Sequence, residues 1–359
     1  LTIQVSPSES KTFIFDVAAL GNNLIKYLEP IFKDPKVCKV MYDAKKILRF
    51  LYYLDLSYDV NNLLDLKITD QIYHAGESDI DYTLDDLALR ELNFKLPPPT
   101  MQTARLASES AILHPLAKNI WPKIRSEKLL TITKLEHDVV KALALMENNG
   151  VYFNVKELAA AQNELKIAKD TIAKELTSRL SSRRESTLGT IERKINLDSP
   201  KQVIEALCSQ GIKVDRIDDE TLAPLSSKYP LVAKLREYNK LKYELNNFAN
   251  PLLKHINSKT GRIHSNFGQL DTTTGRINSV DPNLQNIKRG KNRRFLQSEP
   301  GNLLIIADYK QIDLVVAAAM SGEDKMLKIF QNDCDIHLHT AMTITGKTRL
   351  EDVTDDERR

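Results

Sequence analysis

Asp308 is the first candidate for a chemical role in this sequence, because its carboxylate directly follows a run of apolar residues. Residues 303–307 read LLIIA, which is typical of a short buried strand, and residues 311–320 predict an apolar helix. A carboxylate held between two such elements could be aimed at a divalent cation, although an aspartate here could also simply cap the helix. Oxygen ligands suit Mg²⁺, which binds through one or two carboxylates plus substrate phosphates. The pattern therefore indicates a candidate magnesium ligand.

Two longer motifs carry a resemblance to a known family. Residues 308–314 read DYKQIDL, and residues 272–287 read TTTGRINSVDPNLQNI. The first resembles DYSQIEL, the catalytic palm motif of family A DNA polymerases, the bacterial DNA polymerase I type. The second is similar to the TATGRLSS and DPNLQNI segments of the same family. Two long motifs in the family's order make the resemblance specific.

The resemblance implies an enzyme that adds deoxynucleotides to a primer 3′-hydroxyl under the direction of a template, with two Mg²⁺ ions. Asp308 and the backbone carbonyl of Tyr309 would then be metal ligands. Arg276 would be catalytic and would read the minor groove at the primer terminus, where the acceptors are similar for all correct base pairs. The implied partners are primer–template DNA and deoxynucleoside triphosphates, and protein partners stay unknown.

Four further side chains are expected to bind the incoming nucleotide. Gln311 and Asp313 belong to the palm motif, and Asp313 stands where the family has the glutamate that excludes a ribose 2′-hydroxyl. Because aspartate is shorter, we expect weaker sugar discrimination, which ribonucleotide incorporation relative to a glutamate-bearing relative would measure. Residues 335–341 read DIHLHTA and resemble the family's DIHxxTA helix start. There Asp335 would cap the helix and His337 would donate to the triphosphate.

The fourth nucleotide-binding candidate is Arg358, which follows a predicted capping box at residues 354–357, TDDE. This segment resembles the start of the family's fingers helix, where the arginine would act in catalysis by contacting the terminal phosphates. The lysine and aromatic residue of that helix, and the second catalytic aspartate of the HDE motif, would lie beyond Arg359. We therefore expect this stretch alone to be unable to polymerise, unless a longer chain or a second polypeptide completes it.

DNA binding is predicted from local charge, because the net charge of the chain is only +3. Residues 276–294 hold six basic residues against one acidic residue, a stripe that could neutralise phosphates or could be a solvated loop. The expected DNA-binding residues are Arg183, Arg184, Arg276, Asn283, Gln285, Lys288 and Arg289. Turn formation and capping are the alternative for Asn283 and Gln285.

The fold class expected is multidomain, combining α/β and α+β architecture. Residues 1–130 resemble the ribonuclease H-like 3′-5′ exonuclease domain of the family, and residues 131–359 resemble an incomplete right-hand polymerase domain. Within the latter, the thumb is expected at about 156–253, the palm at about 254–312 and the start of the fingers at about 313–359.

Local patterns place the elements that would carry these residues. Strands are expected at 12–17, 37–41 and 261–265, and helices at 22–32, 132–149, 156–180 and 230–253. In the helix at 132–149, Leu135, Val139, Leu143 and Met146 fall on one predicted apolar face. Ser199 is expected to cap a helix that begins with Pro200.

The exonuclease carboxylates are expected to be missing. The family's DxE pair would lie upstream of the chain, and Ile47 stands where HNxKxDLxxL has its metal-binding aspartate. Residues 106–110, LASES, match the YxxxD segment without its tyrosine or aspartate, although Glu109 could serve if the register slips. We therefore expect a degenerate exonuclease fold that acts as a structural support. The remaining acids of this region, Asp65, Asp70, Asp81, Asp85 and Asp86, are then expected to be surface and cap residues, with Thr83 starting a helix.

The composition of the chain limits the classes of protein to which it could belong. No apolar run is long enough to span a bilayer and no secretory signal opens the chain, so we expect no membrane association and a cytoplasmic or organellar location. Three scattered cysteines suggest neither a zinc site nor a disulfide framework. Two alternatives stay open: a noncatalytic duplex-DNA-binding module derived from such a polymerase, and a proofreading nuclease.

Overall fold

The computed structural model describes residues 2–53, 60–75, 77, 79–186, 189–287 and 291–358. The chain divides into two compact units, residues 1–300 and residues 301–359. Among the residues described, no helix is long and apolar enough to cross a membrane.

The first part of unit 1 mixes short strands with helices. In chain order these are β1 (Thr2–Ser8), β2 (Lys11–Asp16), α1 (Val17–Leu20), α2 (Asn22–Lys33), β3 (Lys39–Met41), α3 (Ala44–Tyr53), β4 (Leu63–Asp65), α4 (Leu66–Tyr73), α5 (Leu84–Leu92), α6 (Gln102–Ala111) and α7 (Leu113–Ser126). β1 and β2 pair antiparallel, whereas β3 and β4 pair parallel. The predicted strands at 12–17 and 37–41, and the helix at 22–32, are confirmed within a few residues.

The second part of unit 1 is mostly helical. Its elements are α8 (Leu130–Asn149), β5 (Val151–Tyr152), α9 (Val155–Leu180), β6 (Ser182–Ser186), β7 (Gly189–Arg193), α10 (Pro200–Ser209), α11 (Asp219–Ser226), α12 (Pro230–Glu244), a π-helix (Leu245–Ala249), α13 (Asn250–Lys254), β8 (Arg262–Ile263), β9 (Asn266–Gly268) and β10 (Asn278–Val280). The antiparallel pairs are β5 with β8, β6 with β7, and β9 with β10. Two 3₁₀ segments follow, Leu284–Asn286 and Lys291–Phe295. The predicted helices at 132–149, 156–180 and 230–253 and the strand near 261–265 are confirmed.

Unit 2 contains α14 (Ile312–Ser321), α15 (Asp324–Gln331), α16 (Ile336–Thr345), a 3₁₀ turn (Leu350–Asp352) and α17 (Asp355–Arg358). The helix predicted after Asp308 is therefore confirmed as α14. The strand predicted at 303–307 is wrong: these residues have no regular secondary structure, and Leu303 and Ile305 are 91% and 89% exposed. Apolar composition indicates a tendency to be buried, but a strand also needs a neighbour for its backbone hydrogen bonds.

The buried face of α8 differs from the predicted one. Leu135 and Met146 are 56% and 49% exposed, while the buried positions include Thr133, His137 and Glu147. These three polar side chains all have partners: Thr133 Oγ1 donates to the Leu129 carbonyl at 2.8 Å, His137 accepts from the Asp65 N–H, and Glu147 lies beside two cations. The prediction therefore fails for Leu135 and Met146, whereas Leu143 is buried as predicted. The buried face also contains Val140 and Ala144, and the polar partners of His137 and Glu147 explain why these two residues belong to it.

Asp65 and Asp70 are not surface acids, contrary to the expectation from sequence. Both are buried, and Asp70 lies 2.5 Å from Arg90 in an ion pair. Asp65 caps α4 as expected, but its carboxylate also accepts from the backbone N–H groups of Asp43 and Ala44 at the start of α3, at 3.1 and 2.7 Å. One side chain therefore serves the N-termini of two helices, whose orphan N–H groups need acceptors. Thr83 caps α5 as predicted.

Ser199 occupies the N-cap position of α10 as predicted, with Pro200 in the first turn. Its side chain makes no capping hydrogen bond. Instead, Gln202 Oε1 accepts from the Asn196 N–H at 3.0 Å across the same turn. The helix start is thus where the sequence places it, but a different side chain stabilises the turn.

The buried carboxyl group of Asp65 should make the free energy of unfolding depend measurably on pH. Burial raises the pKa of its carboxyl from 3.8 to about 6, despite opposing hydrogen bonds from Ala44 and Lys67. Since the folded pKa is the higher one, this contribution to stability is complete below pH 3.8 and is lost as pH rises through 6. Relative to Asp65→Asn, the free energy of unfolding of wild type should fall by roughly 2 kcal/mol between pH 4 and 7.5. Urea unfolding at both pH values measures this; parallel pH profiles for the two proteins would contradict it.

Candidate functional site

One carboxylate in unit 2 brings together three of the predicted nucleotide-binding residues. Asp335 Oδ1 accepts from Gln311 Nε2 at 2.9 Å and from the His337 backbone N–H at 2.8 Å. Asp335 Oδ2 accepts from Arg358 at both Nε and Nη2, at 2.9 and 2.6 Å. Asp335 is also the N-cap of α16, as predicted from the sequence. We call Asp335, Gln311, His337 and Arg358 the Asp335 cluster.

The charge state of the Asp335 cluster follows from these contacts. Partial burial alone would raise the pKa of Asp335, but hydrogen bonds from Arg358, Gln311 and the His337 N–H outweigh it and lower the pKa to about 2. Asp335 is therefore ionised at neutral pH. Two of the five N–H donors of Arg358 are used on this carboxylate, which leaves three for another ligand.

Local structure fixes the two ends of the cluster. Gln311 is the N-cap of α14 with a left-handed backbone, and its Oε1 is buried without a hydrogen-bond partner among the described residues. Arg358 ends α17, whose predicted capping box is confirmed: the Glu357 N–H donates to Thr354 Oγ1 at 3.3 Å, and the Thr354 N–H donates to Glu357 Oε2 at 2.8 Å. Lys347 adds an ion pair to Glu357 at 2.6 Å and, with Thr354, lowers the pKa of Glu357 to about 2.

The predicted metal ligands lie just before the cluster in the chain. Asp308 and Tyr309 are exposed, and Asp313 lies exposed in the first turn of α14. In the part of the chain that the structure describes, no group of three or more His, Cys, Asp and Glu side chains could hold a metal. A carboxylate and a backbone carbonyl are nevertheless the hard oxygen donors that suit Mg²⁺, which takes most of its other ligands from water and phosphates. The donor chemistry fits the cation, and Asp308 stays the predicted side-chain ligand.

The other predicted catalytic residue, Arg276, lies in unit 1 at the end of a tight turn. The turn joins β9 to β10, and it closes through the Gly275 N–H donating to the Thr272 carbonyl at 3.0 Å. Gly275 has a φ of 70°, which glycine adopts without strain. Thr272 Oγ1 donates to the Arg276 carbonyl at 2.9 Å. The Arg276 side chain is exposed.

Asn283 and Gln285 follow β10 and make the capping contacts given above as their alternative. Asn283 Oδ1 accepts from the Gln285 N–H at 2.9 Å, and Gln285 Nε2 donates to the Ile277 carbonyl at 2.9 Å. Both residues remain exposed, so DNA contact stays a prediction. Beside them opens a cavity of about 390 Å³, which is rich in amide and imidazole groups. Its polar lining includes Asn246, Asn247, His255, Asn283 and Asn286.

The remaining predicted DNA-binding residues are basic. Arg183 and Arg184 lie in β6, so residues 182–186 belong to a hairpin with β7 and not to an open loop. Lys288 and Arg289 lie outside the described residues. Nearby, the Arg294 guanidinium stacks 4.7 Å from the ring centroid of Phe295.

The positions matched to exonuclease ligands have other contacts. Ile47 packs against the apolar cluster that contains Leu48 and Val140. Glu109 accepts from Arg105 at 2.6 Å, and Ser110 accepts from Ser6 Oγ at 2.9 Å.

Sequence reasoning missed the central role of Asp335, which it treated only as a helix cap. Its partners Gln311 and Arg358 stand 24 and 23 positions away. No local spacing rule connects residues so far apart, so only the packing of α14, α16 and α17 reveals the contact. The one feature of the sequence that could have suggested this role is that Asp335, a predicted helix cap, stands close to candidate phosphate ligands.

Comparison with known proteins gives a family for this arrangement. Residues 167–359 match DNA polymerase family A, and residues 1–120 match the 3′-5′ exonuclease family. DNA polymerase I of Borreliella burgdorferi is 28% identical over 97% of this chain and 36% of its own length. The thermostable DNA polymerase I of Thermus aquaticus is 31% identical over 69% of this chain and 30% of its own length.

A solved structure, the POL domain of Pol1 from M. smegmatis in complex with DNA primer-template and dNTP, matches with a TM-score of 0.78 at 25% identity. The match covers 97% of this chain and 61% of that one. The chain thus spans about a third of the length of the two curated relatives. Because the family match covers more than half of its residues, the chain belongs to DNA polymerase family A, with an exonuclease domain followed by a polymerase domain.

Proposed function

We propose that this chain provides part of the active site of a DNA polymerase, which adds deoxynucleotides to a primer 3′-hydroxyl under the direction of a template. The observation that carries the proposal is the Asp335 cluster, because it gathers three separately predicted nucleotide ligands around one carboxylate. Family membership and the two sequence motifs support the same chemistry. The primer-template and dNTP held by the M. smegmatis structure support the choice of ligands.

In this proposal the triphosphate binds at the N-terminus of α16. The N-terminus of a helix favours anions through its exposed N–H groups and its dipole. Arg358 offers its three remaining N–H donors, and the exposed His337 ring offers one more. Asp335 holds the guanidinium in place before the nucleotide arrives, which reduces the ordering cost of binding.

Asp308 and the Tyr309 carbonyl would hold Mg²⁺ in this site. When bound, two such ions would ease attack of the 3′-hydroxyl on the α-phosphate and the departure of pyrophosphate. Gln311, a member of the Asp335 cluster, follows this ligand pair two positions later in the chain. Asp313, in the next turn, would face the sugar of the nucleotide.

Primer–template DNA would be bound by groups of unit 1. Arg276 would contact the primer-terminal minor groove, and the amides of Asn283 and Gln285 would contact the backbone or the minor groove. The basic residues would contact phosphates without reading sequence. These are Arg183, Arg184, Lys288 and Arg289.

We also propose the domain boundaries given above, with residues 1–130 as the exonuclease-like domain and the thumb, palm and fingers in residues 131–359. The exonuclease-like domain is proposed to be inactive. The contacts of Ile47, Glu109 and Ser110 support this, because these positions are engaged in packing, an ion pair and a hydrogen bond. Its role would then be structural support.

The direct test is primer extension by the complete natural polypeptide with Mg²⁺ and four deoxynucleotides. Asp308→Ala should lower the rate at least about a thousandfold, because the side-chain metal ligand supplies several kcal/mol of transition-state stabilisation. Asp324→Asn, an exposed change in α15, serves as the control. Duplex binding without extension by wild type would overturn the proposal and favour a noncatalytic DNA-binding module.

The substitution Asp335→Asn removes the ion pair with Arg358 but keeps a side chain that can cap α16. Asparagine is an equally good N-cap, so α16 should stay folded, but Arg358 loses its anionic partner. The KM for deoxynucleotides should rise roughly fivefold to tenfold through lost preorganisation, with a smaller change in kcat. Steady-state kinetics on a fixed primer–template would measure this. An unchanged KM would mean that Asp335 does not prepare Arg358 for the nucleotide, and a lower KM would mean that Asp335 competes with the triphosphate for Arg358.

A further inference from the structure

Helix α3 of the exonuclease-like domain contacts the strand pair that carries the Arg276 turn through a buried ion-pair network. Glu147, on α8, has no exposed side-chain surface. Its Oε1 lies 2.7 Å from Lys45 Nζ and accepts from the Phe267 N–H at 2.6 Å. Its Oε2 lies 2.8 Å from Arg49 Nη1. Lys45 and Arg49 stand one helical turn apart on α3, so both cations point at the same carboxylate.

The same two cations also bind β9 directly. Lys45 Nζ donates to the Phe267 carbonyl, and Arg49 Nη1 donates to Asn266 Oδ1 at 2.9 Å. Phe267 is therefore bound on both its N–H and its carbonyl, by Glu147 and by Lys45. In the register of the strand pair, Phe267 lies opposite Ser279, and Gly268 lies opposite Asn278. The network thus sets the position of β9 and, through it, of β10.

Further contacts hold the segment between β9 and Arg276. Gln269 Nε2 donates to the Glu136 carbonyl on α8 at 2.8 Å, and Leu270 packs against the apolar cluster of α3, α4 and α8. Gly268 admits no side chain, because an added Cβ would lie 1.9 Å from Asn278 Oδ1. These contacts hold the chain from β9 to Leu270, and the hydrogen bonds of the turn, made by Gly275 and Thr272, continue to Arg276.

The ion-pair network should be sensitive to the loss of either cation, because the buried carboxylate depends on them for neutralisation. A buried carboxylate costs several kcal/mol in lost hydration unless cations and hydrogen-bond donors replace the water. Here Lys45 and Arg49 supply the positive charge and the Phe267 N–H supplies a hydrogen bond, while Glu147 Oε2 is buried without a hydrogen-bond partner among the described residues. Removing either cation leaves Glu147 under-neutralised and also removes a contact with β9.

We propose that Lys45 and Arg49 are positioning residues for polymerisation: from the exonuclease-like domain, through Glu147 and β9, they set the place of Arg276 at the primer terminus. The inference rests on the proposed function. It gives the exonuclease-like domain a defined task, which is to set the geometry of the primer-terminal contact. It also predicts that removing the charge of Lys45 or Arg49 reproduces the defect caused by removing the Arg276 side chain.

The test uses the complete natural polypeptide and compares extension of a matched primer with extension of a primer carrying a 3′-terminal mismatch. Lys45→Met should change the matched-to-mismatched rate ratio about tenfold or more, since small displacements of a positioned group are costly. Arg276→Met should change the ratio in the same direction. The double variant should be no worse than Arg276→Met alone, because both changes remove one contact.

Matched variants make the result specific. Lys46→Met removes the same charge from the same helix, but its side chain is 80% exposed and pairs with Asp43, so the ratio should stay at the wild-type value. Lys45→Arg should retain the wild-type ratio. Lys45→Met/Glu147→Gln removes the buried charge together with its partner and keeps the test available if Lys45→Met folds poorly.

The outcomes distinguish this inference from the proposed function. If wild type and Lys46→Met extend primers, but Lys45→Met and Lys45→Met/Glu147→Gln keep the wild-type ratio with only a lower thermal stability, the network is merely structural and the inference is wrong. If wild type does not extend primers at all, the proposed function itself fails, and the inference with it.

Discussion

Glu147 is a carboxylate without exposed surface in the middle of unit 1, and its neutralisation connects regions far apart in the sequence. Its cationic partners come from α3, near residue 47, and its N–H donor comes from β9, near residue 267. An unpaired charge at this depth would be costly, so these contacts favour the folded arrangement in which the three segments meet. The interaction is therefore a constraint on the fold, and the placement of the Arg276 turn follows from it.

Unit 2 has a comparable arrangement with a different physical setting. Asp335 also gathers groups from three places in the chain, but Arg358 in that cluster is partly exposed to solvent. Water can reach Arg358 there, so its remaining N–H donors can bind a ligand while Asp335 keeps the guanidinium in place. Glu147, which is fully buried, suits the task of holding the primer-terminal contact in place. Asp335, which lies nearer to solvent, suits the task of preparing Arg358 to receive a triphosphate.

The sequence predicted the main helices, the family and several caps correctly, because those depend on local signals. Asp335, Thr354 and Thr83 cap helices where side-chain chemistry says they should. The failures all involve tertiary partners. Leu135 is exposed because the face of α8 that is buried runs through His137, Val140, Ala144 and Glu147. Residues 303–307 pair with no strand in the described part of the chain, because composition does not specify a neighbouring strand.

The candidate site was predictable as a set of residues but not as an arrangement. Motif resemblance named Gln311, His337 and Arg358 separately, and nothing in their spacing indicated that Asp335 joins them. The Glu147 network was invisible for the same reason: Lys45 and Arg49 look like ordinary exposed cations of an amphipathic helix until α8 and β9 are packed against them.

Amide hydrogen exchange at β9 tests the central claim most directly, because the Phe267 N–H donates to Glu147 itself. In Lys45→Met/Arg49→Met, exchange across residues 266–280 should accelerate at least about tenfold relative to wild type and Lys46→Met. Exchange in α10 and α12, which pack in a separate apolar cluster, should stay unchanged. Unchanged protection of residues 266–280 in the double variant would contradict the account, because β9 would then be held without the network.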